Sequence, residues 1–203
     1  NVTPLHVAFD EVCRAAHERG LRVTGTEIVG LMPERTLIEA GKHFLRKQNR
    51  STGIPKQDII NIAVKSMGLD DLKPFCAKDK VVEYMIEADE AEKNSLVALT
   101  VKGFADETAR ESPAPGGGSV SAYMGALGAA LGTMVANLSS HKPGWDDRCP
   151  EFSEWAEKGM ALETELLHLV DEDTEAFNRI MAAFGMPKNT DEDKRLRSEA
   201  IQR

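Results

Sequence analysis

The sequence lacks any excess of basic residues. It contains 25 Lys and Arg against 33 Asp and Glu, with a formal net charge of −8. Domains that bind nucleic acid typically carry a basic face or stripe, so the composition argues against a nucleic-acid partner. An acidic balance still permits a small anionic ligand, because backbone amides at the start of a helix can bind one locally.

Cysteine is also scarce. Cys13, Cys76 and Cys149 lie far apart, and no pair has the spacing of a metal knuckle or a redox motif. We therefore predict reduced thiols in a cytoplasmic protein. The N-terminus has no basic region followed by an apolar one, so no signal peptide is predicted. The sequence has no initiator Met and stops inside a helical pattern at 201–203, which predicts a fragment.

The pattern of the chain changes near residue 87. In residues 1–86 helical patterns alternate with β-branched runs at 21–24, 27–29 and 81–86, which predict strands. Residues 87–94 are mostly acidic and predict a linker, and residues 95–203 show only helical patterns. The expected fold class is α+β, with an α/β unit followed by a partial all-α helical bundle.

Residues 112–140 contain no charged side chain, although 29% of the chain is charged. The length permits a transmembrane helix, but the stretch opens with a Pro- and Gly-rich segment, 113–118, that is not regular helix. The small residues after it are spaced for close helix packing. A helix without a charged face must be surrounded by protein, so we predict the centre of a bundle, within one chain or completed by a second subunit.

The glycine run before this helix is the more specific feature. Gly116, Gly117 and Gly118 precede Ser119, a residue type that commonly caps a helix start. Free amides at such a start, with the positive end of the helix dipole, predict an anion-binding site. A plain flexible loop is the alternative interpretation of the same residues.

Asp173 falls within an apolar helical pattern. It lies four residues after Leu169 and four before Phe177, on the side formed by Leu162, Leu166, Leu169, Val170, Ala176, Phe177, Ile180 and Phe184. Burial disfavours the ionised form of a carboxyl group, and this suits a general acid at neutral pH. The alternative is a structural Asp that hydrogen-bonds a neighbouring helix.

His168 precedes Asp171 and Glu172 by three and four residues, so these side chains could share a helix face. A metal site is one interpretation of that spacing. We favour a solvated charged face, and therefore expect no metal.

Several stretches together resemble the formiminotransferase-cyclodeaminase family. SPAPGGGS at 112–119, the Gly- and Ala-rich helix, VDEDTEAF at 170–177 and MPKNT at 186–190 are similar to its cyclodeaminase domain. GTEIVGLMP at 25–33 and GLDDLKPF at 68–75 are similar to the C-terminal subdomain of its formiminotransferase half.

The resemblance implies a bifunctional folate enzyme of histidine degradation. One half would transfer a formimino group from formiminoglutamate to tetrahydrofolate, and the other would cyclise the product to methenyltetrahydrofolate and release ammonia. It implies a ferredoxin-like fold for residues 1–86 and a truncated cyclodeaminase helical domain at 95–203. It also implies tetrahydrofolate as co-substrate, a homo-oligomer formed through the helical domain, and neither a membrane nor a nucleic-acid partner.

For the site, the resemblance implies that Asp173 is the catalytic proton donor. The folate-binding loop falls on Pro115, Gly116, Gly117, Gly118 and Ser119. No histidine of this chain falls in the transferase's catalytic motif, so a fragment without that subdomain is expected. The alternatives are a cyclodeaminase-only enzyme and a non-catalytic helical oligomerisation module.

Overall fold

The computed structural model describes residues 3–90, 95–112 and 114–202. The α-helices within these ranges are α1 Leu5–His17, α2 Glu34–Lys47, α3 Lys56–Met67, α4 Val82–Glu90, α5 Val101–Thr108, α6 Gly117–Ser140, α7 Cys149–Phe184 and α8 Asp191–Gln202. Short 3-10 turns occupy Ala77–Asp79, Leu96–Ala98 and Asp146–Arg148.

The chain divides into two compact units that are discontinuous in sequence. The first unit contains residues 1–93 and 131–160, and the second contains 94–130 and 161–203. Each unit therefore includes part of α6 and part of α7. The predicted division into 1–86, a linker at 87–94 and 95–203 stays a prediction. Of that linker, residues 87–90 end α4, and 91–94 lie outside the described residues.

Helices α2 and α3 form the core of the first unit. Their buried side chains recur every three or four residues, as an amphipathic helix requires: Leu37, Ala40, Phe44 and Leu45 on α2, and Ile59, Ile60, Ala63, Val64 and Met67 on α3. Burying one large aliphatic side chain stabilises a fold by about 2 kcal/mol. Each helix begins directly after a proline, Pro33 before α2 and Pro55 before α3.

The strands predicted at 21–24 and 27–29 are wrong, because no strand occurs in the described ranges. Residues 21–29 lie as irregular chain against the end of α3, where the Thr26 hydroxyl donates to the Met67 carbonyl at 2.7 Å. β-Branched residues favour extended backbone, but a strand also needs a neighbouring strand to complete its hydrogen bonds. The ferredoxin-like sheet is therefore not confirmed, whereas the helical second part agrees with the all-α expectation.

The strand predicted at 81–86 is also wrong. Val81 makes a single parallel bridge with Met32, and α4 begins at the next residue. Val81 and Tyr84 both pack on the α2–α3 core at a helical spacing of three residues. The Glu83 carboxylate accepts from the backbone amide of Glu34 at 2.8 Å, which satisfies an unpaired donor at the start of α2. Tertiary packing thus overrides local β-propensity here.

Residues 131–160 complete the first unit through close backbone contact. A Cβ atom on Gly53 would lie 2.3 Å from the Cβ of Ala156 on α7, so only glycine fits there. The Asn137 amide donates to the Gly53 carbonyl at 2.7 Å, and the amide of Thr52 donates to Ser153 Oγ at 2.9 Å. The segment around Gly53 is therefore held by both α6 and α7.

Glu157 adds a partly buried ion pair to the same contact. Its carboxylate lies 2.8 Å from Lys42 Nζ and accepts from the Thr52 hydroxyl at 2.7 Å. Burial alone would raise the pKa of Glu157, but these hydrogen bonds and the positive charge of Lys42 hold that pKa below its ordinary value. Glu157 is therefore a structural carboxylate of the first unit.

Helix α6 has the predicted apolar character but is not buried by its own chain. Six of its large apolar side chains remain about half to two-thirds exposed, for example 67% for Met124, 60% for Leu131 and 68% for Leu138. The prediction of a helix buried within one chain is therefore wrong. Among the described residues, α6 is the helix long and apolar enough to cross a membrane by length and composition alone. The core helix of a soluble protein can meet the same criterion.

Helix α1 is held on α2 by a cluster of titratable side chains. The rings of His6 and His43 stack with centroids 4.5 Å apart. His43 Nε2 lies 2.8 Å from Asp10, and Lys47 Nζ lies 2.9 Å from the other oxygen of that carboxylate. Burial, together with the charge of His43, lowers the pKa of His6. The nearby charges of Glu39 and Asp10 oppose this shift, and Arg46 adds to it.

We expect the first unit to lose stability as the pH falls through about 6.5. The folded chain holds His6 at a pKa below its ordinary 6.5, so the unfolded chain binds the proton more readily in that range. The loss should stop growing once the pH is below the lowered pKa of the folded state. Urea unfolding between pH 8 and pH 5 measures this, and His6→Gln should reduce the pH dependence.

His17→Gln is the matched control, because His17 is an exposed residue on the same helix. It should keep the pH dependence of the unaltered chain. Although burial opposes it, hydrogen bonds from Lys47 and His43 hold the pKa of Asp10 below 3.8, outside the tested range. Equal pH slopes for His6→Gln and the unaltered chain would contradict this account.

Candidate active site

The predicted site residues come from the segment that leads into α6, from the first turn of α6 and from the C-terminal half of α7, all in the second unit. Helix α6 begins at Gly117, three residues before Val120, the first helical residue that a Ser119 cap implies. Ser119 therefore lies inside the first turn and is not the residue that precedes the helix. Its side chain is fully buried and faces α7. The amides of this first turn have no partner within their own helix.

The Asp173 carboxylate accepts a hydrogen bond from one of these amides. The Ser119 backbone N–H donates to Asp173 Oδ2 at 2.9 Å. The positive end of the helix dipole favours a negative charge at this position. The anion-binding geometry predicted for the start of α6 therefore exists, but in this chain the bound anion is Asp173 itself.

The Ser119 hydroxyl connects α6 to three groups on α7. Its Oγ lies 2.8 Å from the Val170 carbonyl, 3.1 Å from Asp173 Oδ2 and 3.2 Å from the Thr174 hydroxyl. A hydroxyl has one proton to donate, so it can serve the Val170 carbonyl or the Asp173 carboxylate while it accepts from Thr174. All described hydrogen bonds to Asp173 end on Oδ2, which leaves Oδ1 for other chemistry.

Gly118 is the glycine that this arrangement requires. A Cβ atom there would lie 2.2 Å from Asp173 Oδ1 and 2.5 Å from its Cγ, closer than any real contact. A Cβ on Gly116 or Gly117 would meet nothing within 4 Å. Gly118 is therefore the residue of the glycine run that allows Asp173 to reach the helix start.

An open groove of about 390 Å³ lies beside Asp173. It is lined by Gly118, Ala122, Leu169, Glu172, Asp173, Ala176 and Arg179. Of the predicted binding loop, Gly118 lines this groove, Pro115 and Ser119 are buried, and Gly117 is exposed. The binding roles of Pro115, Gly116, Gly117, Gly118 and Ser119, and the catalytic role of Asp173, stay predictions.

Asp173 is exposed, which differs from its expected burial among apolar residues. The apolar neighbours on α7 are themselves uncovered, with Leu169 40% and Phe177 36% exposed. Helical periodicity correctly places these residues on one side of α7, but periodicity cannot show what covers that side.

Asp171 is a site-adjacent residue that sequence reasoning missed. Its two carboxylate oxygens accept from the Ser95 hydroxyl and the Leu96 amide, each at 2.6 Å. It therefore fixes residues 95–96 on α7, two residues before Asp173. No sequence signal distinguishes it from the other acids of the stretch, because its partners are distant in sequence.

His168 lies on the exposed surface, as expected for a solvated face. Its Nδ1 is 3.5 Å from Glu172, and its side chain is 77% exposed. Among the residues that the structure describes, no group of three or more His, Cys, Asp or Glu side chains is placed to hold a metal ion.

Comparison with known proteins gives the class of the chain. Residues 1–87 match the formiminotransferase domain, and residues 100–203 match formiminotransferase-cyclodeaminase. The chain therefore belongs to the formiminotransferase-cyclodeaminase family, as the sequence motifs predict.

Individual relatives are similar over almost the whole chain. Formimidoyltransferase-cyclodeaminase of Mus musculus is 35% identical over 99% of this chain, and that of Gallus gallus is 34% identical over 98%. The chain spans 37% of the length of each of these relatives. A methenyltetrahydrofolate cyclohydrolase of Methylorubrum extorquens is 41% identical over 51% of this chain and 50% of its own length.

We predict that Gly118→Ala displaces the Asp173 carboxylate and destabilises the second unit by about 1–3 kcal/mol, as overpacking does. The new methyl group cannot coexist with Asp173 in its present position. Denaturant unfolding measures the loss. Gly117→Ala, in the same turn, is the control and should be neutral or slightly stabilising, because alanine favours helix by about 1 kcal/mol.

The clash can be isolated by repeating Gly118→Ala in an Asp173→Ala background. The destabilisation should then disappear, because the carboxylate that the methyl group meets is gone. A loss of the same size in both backgrounds would show that Gly118 is needed for another reason.

Proposed function

We propose that this chain is part of a bifunctional folate enzyme of histidine degradation. The enzyme transfers a formimino group from formiminoglutamate to tetrahydrofolate, its co-substrate. It then cyclises formiminotetrahydrofolate to methenyltetrahydrofolate and releases ammonia. The observation that supports the cyclising step is the position of the Asp173 carboxylate, which is hydrogen-bonded through one oxygen and lines an open groove.

The cyclising step requires proton delivery. The bridge nitrogen of the folate attacks the formimino carbon and gives up its proton, and the new carbon–nitrogen bond leaves an amine on that carbon. The carbon–amine bond then breaks, and the amine must gain a proton to leave as ammonia. A positioned carboxylic acid contributes about 10²–10⁴-fold to such a step. We assign the donation to Asp173 through Oδ1, because the Ser119 hydrogen bonds occupy Oδ2.

The glycine-rich turn would form one wall of the folate site. In this proposal Pro115, Gly116, Gly117 and Gly118 allow the substrate to approach the backbone, as glycine-rich segments do where close contact is needed. Gly118 supports it, because it lines the groove beside Asp173. Ser119 would act through Asp173, since its own side chain is buried. The proposed reaction uses this carboxylate as its acid and needs no metal.

The first part of the chain belongs to the transfer step in this proposal. Residues 1–86 would be the C-terminal subdomain of the transferase half, with a ferredoxin-like arrangement in the complete protein. The match of residues 1–87 to the formiminotransferase domain supports this. The transferase's catalytic histidine would come from outside this chain.

A second candidate function is hydrolysis of methenyltetrahydrofolate. The 41% identity with a methenyltetrahydrofolate cyclohydrolase favours it. Both reactions share methenyltetrahydrofolate and involve a carbon between the same two folate nitrogens. A cyclodeaminase-only enzyme and a non-catalytic helical oligomerisation module are two further candidates, and the same assays separate them.

The full-length protein tests the proposal with formiminotetrahydrofolate, followed by the absorbance of methenyltetrahydrofolate. Asp173→Asn should slow the reaction by about a hundredfold or more, because the amide cannot donate an acidic proton. Glu165→Gln, an exposed carboxylate on the same helix, should leave the rate unchanged.

Each of the other candidate functions has its own outcome in these assays. Hydrolysis of methenyltetrahydrofolate without use of the formimino substrate would indicate the cyclohydrolase. Turnover of formiminotetrahydrofolate without transfer from formiminoglutamate would indicate a cyclodeaminase alone. Equal rates for Asp173→Asn and the unaltered enzyme would contradict the role of Asp173.

The same proposal includes a homo-oligomer formed through the helical domain. Exposed apolar residues on α6 recur at alternating intervals of three and four, the spacing of a helix–helix seam: Met124, Leu127, Leu131, Met134 and Leu138. This row has no charged residue within it. We place this homo-oligomer in the cytoplasm, with neither a membrane nor a nucleic-acid partner. The acidic composition agrees with the lack of a nucleic-acid partner. The free cysteines agree with a reducing compartment.

A charge in this seam should separate the subunits. Leu131→Glu should shift the full-length protein to a smaller species in sedimentation velocity, because a buried unpaired carboxylate is costly at an interface. Ser198→Glu adds the same charge at an exposed position of α8 and should leave the size unchanged. An unaltered size for Leu131→Glu would exclude α6 from the interface.

A further inference from the structure

The groove beside Asp173 has an uneven distribution of charge. Among its described lining residues, Glu172 and Asp173 are acids, and Arg179 is the one cation. A ligand that carries a carboxylate would be repelled by the two acids. Arg179 is therefore the lining side chain that can attract such a ligand into the groove.

Arg179 is available for this role. In the described ranges it makes no hydrogen bond or ion pair, although Glu175 lies four residues before it on α7, in the order that favours pairing. Other helical arginines do pair with a nearby acid, as Arg14 does with Glu11 at 3.0 Å and Arg195 with Glu192 at 3.3 Å.

Asp173 and Arg179 line the groove at separate positions along α7. Asp173, Ala176 and Arg179 follow one another at intervals of three residues and all line it. Six residues correspond to about 9 Å along the helix axis. Along α7 the groove therefore presents Leu169, then the carboxyl of Asp173, a short apolar wall at Ala176, and the guanidinium of Arg179.

We infer that Arg179 is a specificity-determining residue that binds the glutamate carboxylate of the folate substrate. The inference rests on the proposed cyclising function. A folate has its reacting nitrogens at one side of an aromatic ring and its glutamate carboxylates at the other, which matches the order acid, apolar wall, cation. A guanidinium can bind a carboxylate through two parallel hydrogen bonds.

The test combines a residue change with a truncated substrate in the full-length enzyme. The substrates are formiminotetrahydrofolate and the same compound without its glutamate, formiminotetrahydropteroate. With the complete substrate, Arg179→Gln should raise KM by about tenfold or more, as expected for loss of a charge-assisted hydrogen bond, with kcat changed by less than about twofold.

With the truncated substrate, the unaltered enzyme should already show the raised KM, and Arg179→Gln should add no further increase. Arg179→Lys should give an intermediate KM, since it keeps the charge without the paired donors. Arg195→Gln, an exposed arginine of α8 in the same unit, is the control and should change neither substrate.

An equal rise in KM for both substrates, or no rise for either, would overturn the inference. A fall in kcat with KM unchanged would also overturn it, because Arg179 would then act on the reaction and not on binding. Absence of turnover by the unaltered enzyme would instead contradict the proposed function, so the two failures are distinguishable.

Discussion

The hydrogen bond between the Ser119 amide and Asp173 Oδ2 is the contact on which the candidate site depends. It joins the first turn of α6 to α7 within the second unit. A charged hydrogen bond of this kind stabilises a fold by about 1.5–3 kcal/mol, and removal of one partner leaves the other unsatisfied. The bond joins a backbone amide to the Asp173 side chain, so it ties the first turn of α6 to one position on α7.

This contact explains the composition of the segment around it. A carboxylate can approach the first turn of a helix only if no side chain occupies the space, and Gly118 provides that space. The Ser119 hydroxyl fills the remaining polar positions by bonding to Val170 and Thr174. The Ser119 hydrogen bonds occupy Oδ2 and leave Oδ1, which lies close against Gly118, without a described hydrogen bond. A residue that is structurally necessary can therefore also be chemically available.

Within the described part of the chain, many large apolar side chains on α6 and α7 remain exposed to solvent. Exposed apolar residues recur at helical spacing along α6 and, at Leu169, Phe177 and Ile180, along α7, so they are not singly scattered surface hydrophobics. Such surfaces mark interfaces, and covering α7 would also remove water from around Asp173. The assembly proposed for the helical domain is thus connected to the chemistry proposed for the carboxylate, because desolvation strengthens electrostatic interactions at a site.

The sequence by itself determined most of the helices, the family and the candidate carboxylate. Periodicity grouped the apolar side of α7, because the spacing of apolar residues along one helix is a local signal. Only the tertiary structure decided that 81–86 is largely helical and that Asp173 binds the start of α6. It also decided that α6 lies exposed. These features depend on partners far away in sequence, and neither spacing nor propensity contains that information.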